Sequence, residues 1–160
     1  MARTQHAIFG AGCFWGVEHS FRRIDGVIDA TTGYAGGTME NPSYEDVCTH
    51  TTGHAEVVRV EYDPERVAFD EILHAFWRMH DPTRRAQQDG DTGQYRSVIF
   101  TTSDEQLEQA RASKDAEESS GRHGEPIVTQ IAPAPAFYRA EERHQRYAEK
   151  HGAGACPQNR

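Results

Sequence analysis

The sequence has few long apolar runs and a shortage of positive charge. No stretch approaches the ~20 apolar residues that a membrane span needs, and no basic-then-apolar leader opens the chain. Lys and Arg number 17 against 25 Asp and Glu, which gives a formal net charge of −8. This balance argues against nucleic acid or an anionic membrane as a partner. We therefore expect a cytoplasmic protein that binds neither.

Cysteine is also scarce. The three cysteines, Cys13, Cys48 and Cys156, are an odd number without a repeated spacing. This pattern argues against a disulfide scaffold and against a four-cysteine zinc site. In a reducing compartment, such cysteines are either inert core residues or catalytic and redox-active ones.

The 160 residues are enough for a single domain, 1–160, with a modest core. Apolar and β-branched runs predict strands at 6–11, 27–34, 57–62, 96–101 and 127–131. Helical spacing predicts helices at 17–24, 69–77 and about 103–119. One helical turn is expected at 44–48, and a short charged helix or turn at 141–150. We predict an α+β fold, a two-layer sandwich in which a mixed β-sheet packs against helices. A long irregular C-terminal segment follows, with 147–160 as a flexible tail that carries Cys156.

Cys13 lies between glycines in the segment Gly12–Gly16, after an apolar strand and before an amphipathic helix. At a helix N-terminus, free backbone N–H groups and the helix dipole favour a thiolate over a thiol. The flanking glycines allow a sharp turn and leave room for a substrate. Cys13 is thus a candidate nucleophile. The alternative is a buried structural cysteine beside core aromatics.

Seven short motifs occur in order along the chain. They are Gly12–Gly16 (GCFWG), Gly33–Gly37 (GYAGG), Asn41–Tyr44 (NPSY), Thr52–Glu56 (TGHAE), His80–Thr83 (HDPT), Gln94–Ser97 (QYRS) and Ala140–Gln145 (AEERHQ). Together they resemble the A-type peptide-methionine sulfoxide reductases, and the resemblance covers essentially the whole chain. It implies thiol-dependent reduction of methionine sulfoxide, free or in proteins, with selectivity for the S epimer at sulfur, and a role in repair of oxidised proteins.

The chemistry fits the residues that the resemblance selects. Reduction of a sulfoxide needs a soft nucleophile, Cys13, and a proton for the departing oxygen. Glu56 is the candidate acid, because a carboxyl at the head of an apolar strand can stay protonated when it is desolvated. Without the resemblance, an exposed strand-end carboxylate would be the simpler interpretation.

The resemblance also implies roles for other side chains. Tyr44 and Tyr95 would donate to the sulfoxide oxygen, although isolated tyrosines more often serve packing. Phe14 and Trp15 would form an apolar wall for the S-methyl group, with core packing as the alternative. The resemblance also implies an active-site aspartate before Tyr95. Asp91 is the candidate, although the loop before Tyr95 is one residue shorter than in the family pattern.

Cys156 would resolve a Cys13 sulfenic acid as a Cys13–Cys156 disulfide that thioredoxin reduces; otherwise it is an idle thiol. Cys48 is interpreted as a packed, inert thiol. No metal and no cofactor beyond the external thiol reductant is expected, and the protein is expected to be a monomer.

Two other classes of function remain open on sequence grounds. A zinc-binding module could draw on Cys48, His50 and His54, but zinc ligands usually come in paired spacings that are not evident here. A thiol peroxidase or general disulfide oxidoreductase is the second alternative. The absence of a Cys-x-x-Cys motif counts against it.

Overall fold

The computed structural model describes residues 4–49, 51–84 and 93–151. Strands and helices alternate along most of the chain. The strands are β1 (Gln5–Gly10), β2 (Val27–Ala35), β3 (Ala55–Tyr62), β4 (Val98–Thr101), β5 (Gln130–Pro133) and β6 (Phe137–Arg139). The helices are α1 (Phe14–Arg22), α2 (Tyr44–Cys48), α3 (Phe69–Met79), α4 (Asp104–Ser119) and α5 (Tyr147–His151), with a 3₁₀ turn at Glu142–His144.

The six strands form one mixed sheet in the order β5-β4-β1-β3-β2-β6. β4 and β5 run parallel, whereas the other neighbouring pairs are antiparallel. β3 lies between β1 and β2, so its backbone groups are paired on both sides. The predicted α+β class with a mixed sheet is confirmed.

Both faces of the sheet are buried, because successive side chains of a strand point to opposite faces and both Ile8 and Phe9 of β1 are buried. On one face Phe9 packs against Phe21 of α1 and Phe76 of α3, with ring centroids 4.9 and 5.4 Å apart. On the other face Ile8 belongs to a second apolar cluster that residues of the C-terminal segment, including Phe137, cover. The helices thus form one layer against the sheet, and Ala132, Ala134 and Phe137 cover the opposite face.

The last strands differ from the prediction. The strand predicted at 127–131 begins at Gln130 and runs to Pro133, and Phe137–Arg139 forms a further strand at the opposite edge. β5 is an outer strand, where a proline is tolerated because one side of the strand needs no ladder hydrogen bond. β6 pairs with β2 over only three residue pairs, a long-range contact that no local pattern announces.

The charged segment 141–150 is not one helix. The 3₁₀ turn ends at His144, Arg146 has a positive φ of 55°, and α5 begins at Tyr147. The Gln145 amide interrupts the segment, because it is bonded to both the N–H and the C=O of Thr32 in β2. Residues 147–151, where the predicted tail begins, form α5, and 152–160 lie outside the described residues.

Within 4–49, 51–84 and 93–151, no helix is long and apolar enough to cross a membrane.

Candidate active site

Cys13 is the N-cap residue of α1, as predicted. Its carbonyl accepts the first helical hydrogen bond from Val17 at 3.3 Å, and the chain enters through Gly12 with φ 105°. That φ favours glycine, which explains the residue before the cysteine. Cys13 is only 3% exposed and packs against Tyr95 and Trp15. The Cys13 sulfur is thus carried at the N-terminal, positive end of the α1 dipole.

Glu56 lies beside the start of the same helix. It is the second residue of β3, and its side chain is 2% exposed. Oε1 accepts the backbone N–H of Phe14 at 3.2 Å, and Oε2 accepts Nε2 of Gln94 at 2.7 Å. The carboxyl is therefore joined to the residue that follows Cys13.

Tyr44 and Tyr95 come together at this end of α1. Tyr44 is the first residue of α2, which a capping box between Ser43 and Asp46 begins. The two phenol groups are hydrogen-bonded to each other. Burial, together with the nearby Glu56 carboxylate, raises the pKa of both phenols well above the usual value. Both hydroxyls therefore keep their protons at neutral pH and can act as hydrogen-bond donors.

A cavity of about 480 Å³ opens next to these side chains. It is lined by Trp15, Tyr44, Glu45, Cys48, Arg143, His144, Tyr147 and His151. Trp15 forms an aromatic wall, since its ring stacks on Tyr147 with centroids 3.8 Å apart and planes 8° apart. Phe14, by contrast, is completely buried and does not line the cavity.

Phe14 supports the wall from behind. Its ring lies 5.7 Å from that of Tyr34 and 6.4 Å from that of Tyr44, between centroids. Of the two aromatics predicted as a substrate wall, Trp15 thus faces the cavity and Phe14 belongs to the core beneath it.

The C-terminal segment supplies residues that sequence reasoning did not assign. Glu141 accepts the Tyr34 hydroxyl and the backbone N–H of Tyr44, both at 2.9 Å. Burial alone would raise the pKa of Glu141, but these hydrogen bonds outweigh it and the pKa is lowered. An ionised carboxylate therefore anchors the start of α2 and, with it, Tyr44.

His144 is a second residue of this segment to which the sequence assigned no role. Its Nδ1 accepts the indole N–H of Trp15 at 3.0 Å, and burial lowers the pKa of the imidazole. A neutral imidazole thus fixes the indole ring at the cavity wall. Both His144 and Glu141 lie in the Ala140–Gln145 motif. The motif was the available signal, but it did not say what either side chain contacts.

His54, one of the three ligands considered for a zinc site, is not available to bind a metal. Its Nδ1 accepts the N–H of Gly37 at 3.0 Å, and its Nε2 lies 2.6 Å from the carbonyl oxygen of Met39. Both ring nitrogens are thereby engaged by the main chain, so neither offers a lone pair to a metal. His50 lies outside the described residues. Within the described part of the chain, no group of three or more His, Cys, Asp or Glu side chains could hold a metal ion.

The three cysteines differ in state and placement. Cys13 is in a disulfide, whereas Cys48 is a free thiol at the cavity wall, so Cys48 is not bonded to Cys13. Cys156 and Asp91, both predicted as site residues, lie outside the described residues.

A buried cysteine at a helix N-terminus, packed beside the cavity residue Trp15 and close to a buried carboxyl and two tyrosines, indicates a thiol-dependent oxidoreductase. Comparison with known proteins gives the particular family. The family described as peptide methionine sulfoxide reductase matches residues 5–160. The chain belongs to this family.

Individual relatives of known identity belong to the same family. The peptide methionine sulfoxide reductase MsrA of Geobacter sulfurreducens is 55% identical over 153 residues, which span 95% of this chain and 94% of the relative. The solved structure of Mxr1 from Saccharomyces cerevisiae in reduced form matches with a TM-score of 0.88 and 38% identity, over 98% of this chain and 91% of that one.

A second Mxr1 structure, solved in complex with Trx2, matches with a TM-score of 0.64 and 34% identity, over 91% of this chain and 86% of that one. These relatives, together with the family match, establish the reaction: the protein is an enzyme that uses thiol chemistry to reduce methionine sulfoxide to methionine.

Proposed function

We propose that Cys13 is the nucleophile and Glu56 the general acid in reduction of the S epimer of methionine sulfoxide, free or in proteins. One observation carries this assignment, the hydrogen bond from the N–H of Phe14 to the Glu56 carboxyl. It holds the carboxyl next to the only cysteine at the start of α1, where the helix favours a thiolate.

The Cys13 thiolate attacks the sulfoxide sulfur while Glu56 gives a proton to the sulfoxide oxygen. The attack forms a bond between the Cys13 sulfur and the substrate sulfur. This bond and the S–O bond of the substrate then break as the protonated oxygen is transferred to Cys13, which becomes a sulfenic acid. The substrate sulfur gains two electrons and becomes a thioether, and Cys13 loses two. Methionine then leaves the site.

Tyr44 and Tyr95 stabilise the oxygen as negative charge builds on it. Their hydroxyls are bonded to each other, and burial raises the pKa of each phenol, so both remain donors through the reaction. Tyr95 packs directly against Cys13, which supports a position close to the reacting sulfur.

Trp15 holds the S-methyl group of the substrate. Its indole lines the cavity and is fixed by the His144 hydrogen bond. Contacts between sulfur and an aromatic ring are favourable, so an indole suits this role. Phe14 acts indirectly, since it packs beneath the site and keeps Tyr44 in place.

Cys156 resolves the sulfenic acid by attacking the Cys13 sulfur, which releases water and forms a disulfide. Cys48 is a free thiol while Cys13 is bonded, so Cys156 is the remaining cysteine of the sequence for this role. The similarity to Mxr1 in complex with Trx2 supports thioredoxin as the reductant. No prosthetic group is needed in this cycle. Asp91 as an active-site aspartate, a monomeric state and a cytoplasmic location remain predictions.

A turnover assay on the two separated sulfoxide epimers, with dithiothreitol as reductant, tests the proposal. The S epimer should be reduced and the R epimer should not. Equal turnover of both epimers would contradict the proposed specificity. The same assay with hydrogen peroxide in place of the sulfoxide tests the thiol peroxidase alternative. Much faster turnover of methionine sulfoxide than of hydrogen peroxide would exclude that alternative.

A further inference from the structure

We propose that Gln94 is a positioning residue of the reaction, whose side-chain amide fixes the direction in which Glu56 delivers its proton. Gln94 is buried and lies in a turn directly after Gly93. The inference rests on the proposed role of Glu56 as general acid. It deepens that role by naming the side chain that orients the carboxyl.

Gln94 is attached to Glu56 through two separate bonds. Its backbone carbonyl accepts the Glu56 N–H at 2.7 Å, and its side-chain Nε2 donates to Oε2 of Glu56 at 2.7 Å. The first bond joins the turn to β3, and the second fixes the carboxyl itself. Because Gln94 is bonded to both the backbone N–H and the carboxyl of Glu56, this buried carboxyl has little freedom to rotate away from the site.

The kind of group that faces Glu56 matters as much as its distance. Oε1 meets the backbone N–H of Phe14 and Oε2 meets the Nε2 amide of Gln94, and both of these are donors. A donor cannot accept the proton of a protonated carboxyl. Neither contact therefore competes with the sulfoxide oxygen for the proton that Glu56 must deliver.

Cys48 holds the amide in this orientation. Nε2 of Gln94 lies 3.5 Å from Sγ of Cys48, within the distance of a hydrogen bond to sulfur. One NH₂ group thus serves two acceptors, the Glu56 carboxyl and the Cys48 sulfur. If the amide were rotated, its oxygen would face the carboxyl and could accept the proton.

The same turn sets the position of a second active-site group. Tyr95 follows Gln94 directly, packs against Cys13, and shares a hydrogen bond with Tyr44. Because the carbonyl of Gln94 accepts the N–H of Glu56, the backbone next to Tyr95 is joined to the strand that carries the carboxyl. The acid and a donor to the oxygen are thereby positioned by neighbouring residues.

The test is the pH dependence of single-turnover methionine formation in Gln94→Met, a substitution that keeps the length but removes the donor. The ionised Glu56 carboxylate loses a bond that stabilises it, so the protonated carboxyl persists to higher pH. The alkaline limb of the profile should move up by about one pH unit, and the rate at neutral pH should fall about tenfold. The tyrosines do not produce this limb, because the pKa of each is raised far above it.

Gln106→Met is the matched control. Gln106 is equally buried and its Nε2 donates to the carbonyl of His6 and to the hydroxyl of Tyr62, away from the site. This variant should keep the limb where it is in the unmodified protein. A fall in rate by the same factor at every pH in Gln94→Met, with an unmoved limb, would overturn the proposal.

Two further variants separate the possible failures. Gln94→Glu tests the same point should Gln94→Met not fold, because a second carboxyl beside Glu56 disfavours its ionised form and should also move the limb upward. An unmoved limb there overturns the role of Gln94. Glu56→Gln, measured in the same series, tests the proposed function itself: an unchanged rate would overturn the acid role, whereas a slow rate leaves only Gln94 in question.

Discussion

The backbone N–H of Phe14 donates to Oε1 of Glu56 at 3.2 Å, across 42 residues of sequence. This bond joins the first turn of α1 to the second residue of β3, and so places a buried carboxyl next to the cysteine that begins the helix. A nucleophile and a proton donor are the two groups that sulfoxide reduction requires. The backbone of the residue that follows the cysteine thus holds the carboxyl in place.

The role of Glu56 predicts a large loss of rate in Glu56→Gln. The amide keeps the shape of the carboxyl but has no acidic proton to give, and general-acid catalysis is typically worth ~10²–10⁴-fold. Single-turnover formation of methionine at neutral pH should slow within that range. Glu61→Gln on the same strand, near the surface, is the control and should keep the normal rate. An equal rate in the two variants would remove Glu56 from the mechanism.

The bond between the tyrosine hydroxyls predicts that their effects are not independent. Tyr44→Phe and Tyr95→Phe should each lower kcat about tenfold, as expected for a lost donor to a developing charge. The double variant should lose less than the product of the two factors, because each hydroxyl also orients the other. Strictly multiplicative losses in steady-state assays would show that the hydroxyls act separately.

The position of Trp15 at the cavity wall predicts a binding defect. Trp15→Leu keeps an apolar surface but removes the aromatic contact to sulfur, which should raise KM about fivefold. Trp77→Leu is the matched control, since Trp77 is buried in α3 and donates to Ser113 rather than lining the cavity. If KM rises equally in both variants, the effect reflects general loss of packing and not substrate contact.

His80 predicts how stability depends on pH. Burial lowers the pKa of its imidazole to about 4, from 6.5 for the free side chain. Between these values the unfolded chain binds a proton that the folded protein excludes, so the free energy of unfolding falls as the pH drops from 6.5 to 4. Denaturant unfolding should show that His80→Gln removes about 3 kcal/mol of this acid-dependent loss. The same pH dependence in both proteins would contradict the assignment.

Local patterns predicted the elements that begin the site. Glycines around Cys13 and helical spacing after it indicated the strand-to-helix turn, and the apolar run after Glu56 indicated β3. In both cases the information lies within a few residues of the functional group. The motifs then selected Tyr44 and Tyr95, whose approach in space was a prediction of the resemblance and not of spacing.

Contacts between distant segments were not predictable in this way. Glu141 reaches Tyr44 across 97 residues, and Gln94 reaches Glu56 across 38. A single sequence contains no signal for such pairs, because each partner is locally an ordinary polar residue. β6 was missed for the same reason, since its three residues become a strand only by pairing with β2.

The central claim, that the oxygen of the substrate passes to Cys13, is tested most directly in Cys156→Ser. The variant is mixed with the S epimer of methionine sulfoxide and dimedone, and methionine and labelled cysteine are measured by mass spectrometry. The account predicts one equivalent of methionine per enzyme and a dimedone adduct on Cys13, because the sulfenic acid forms before the resolving step. Methionine formed with the adduct on Cys48, or with no adduct on Cys13, would contradict it.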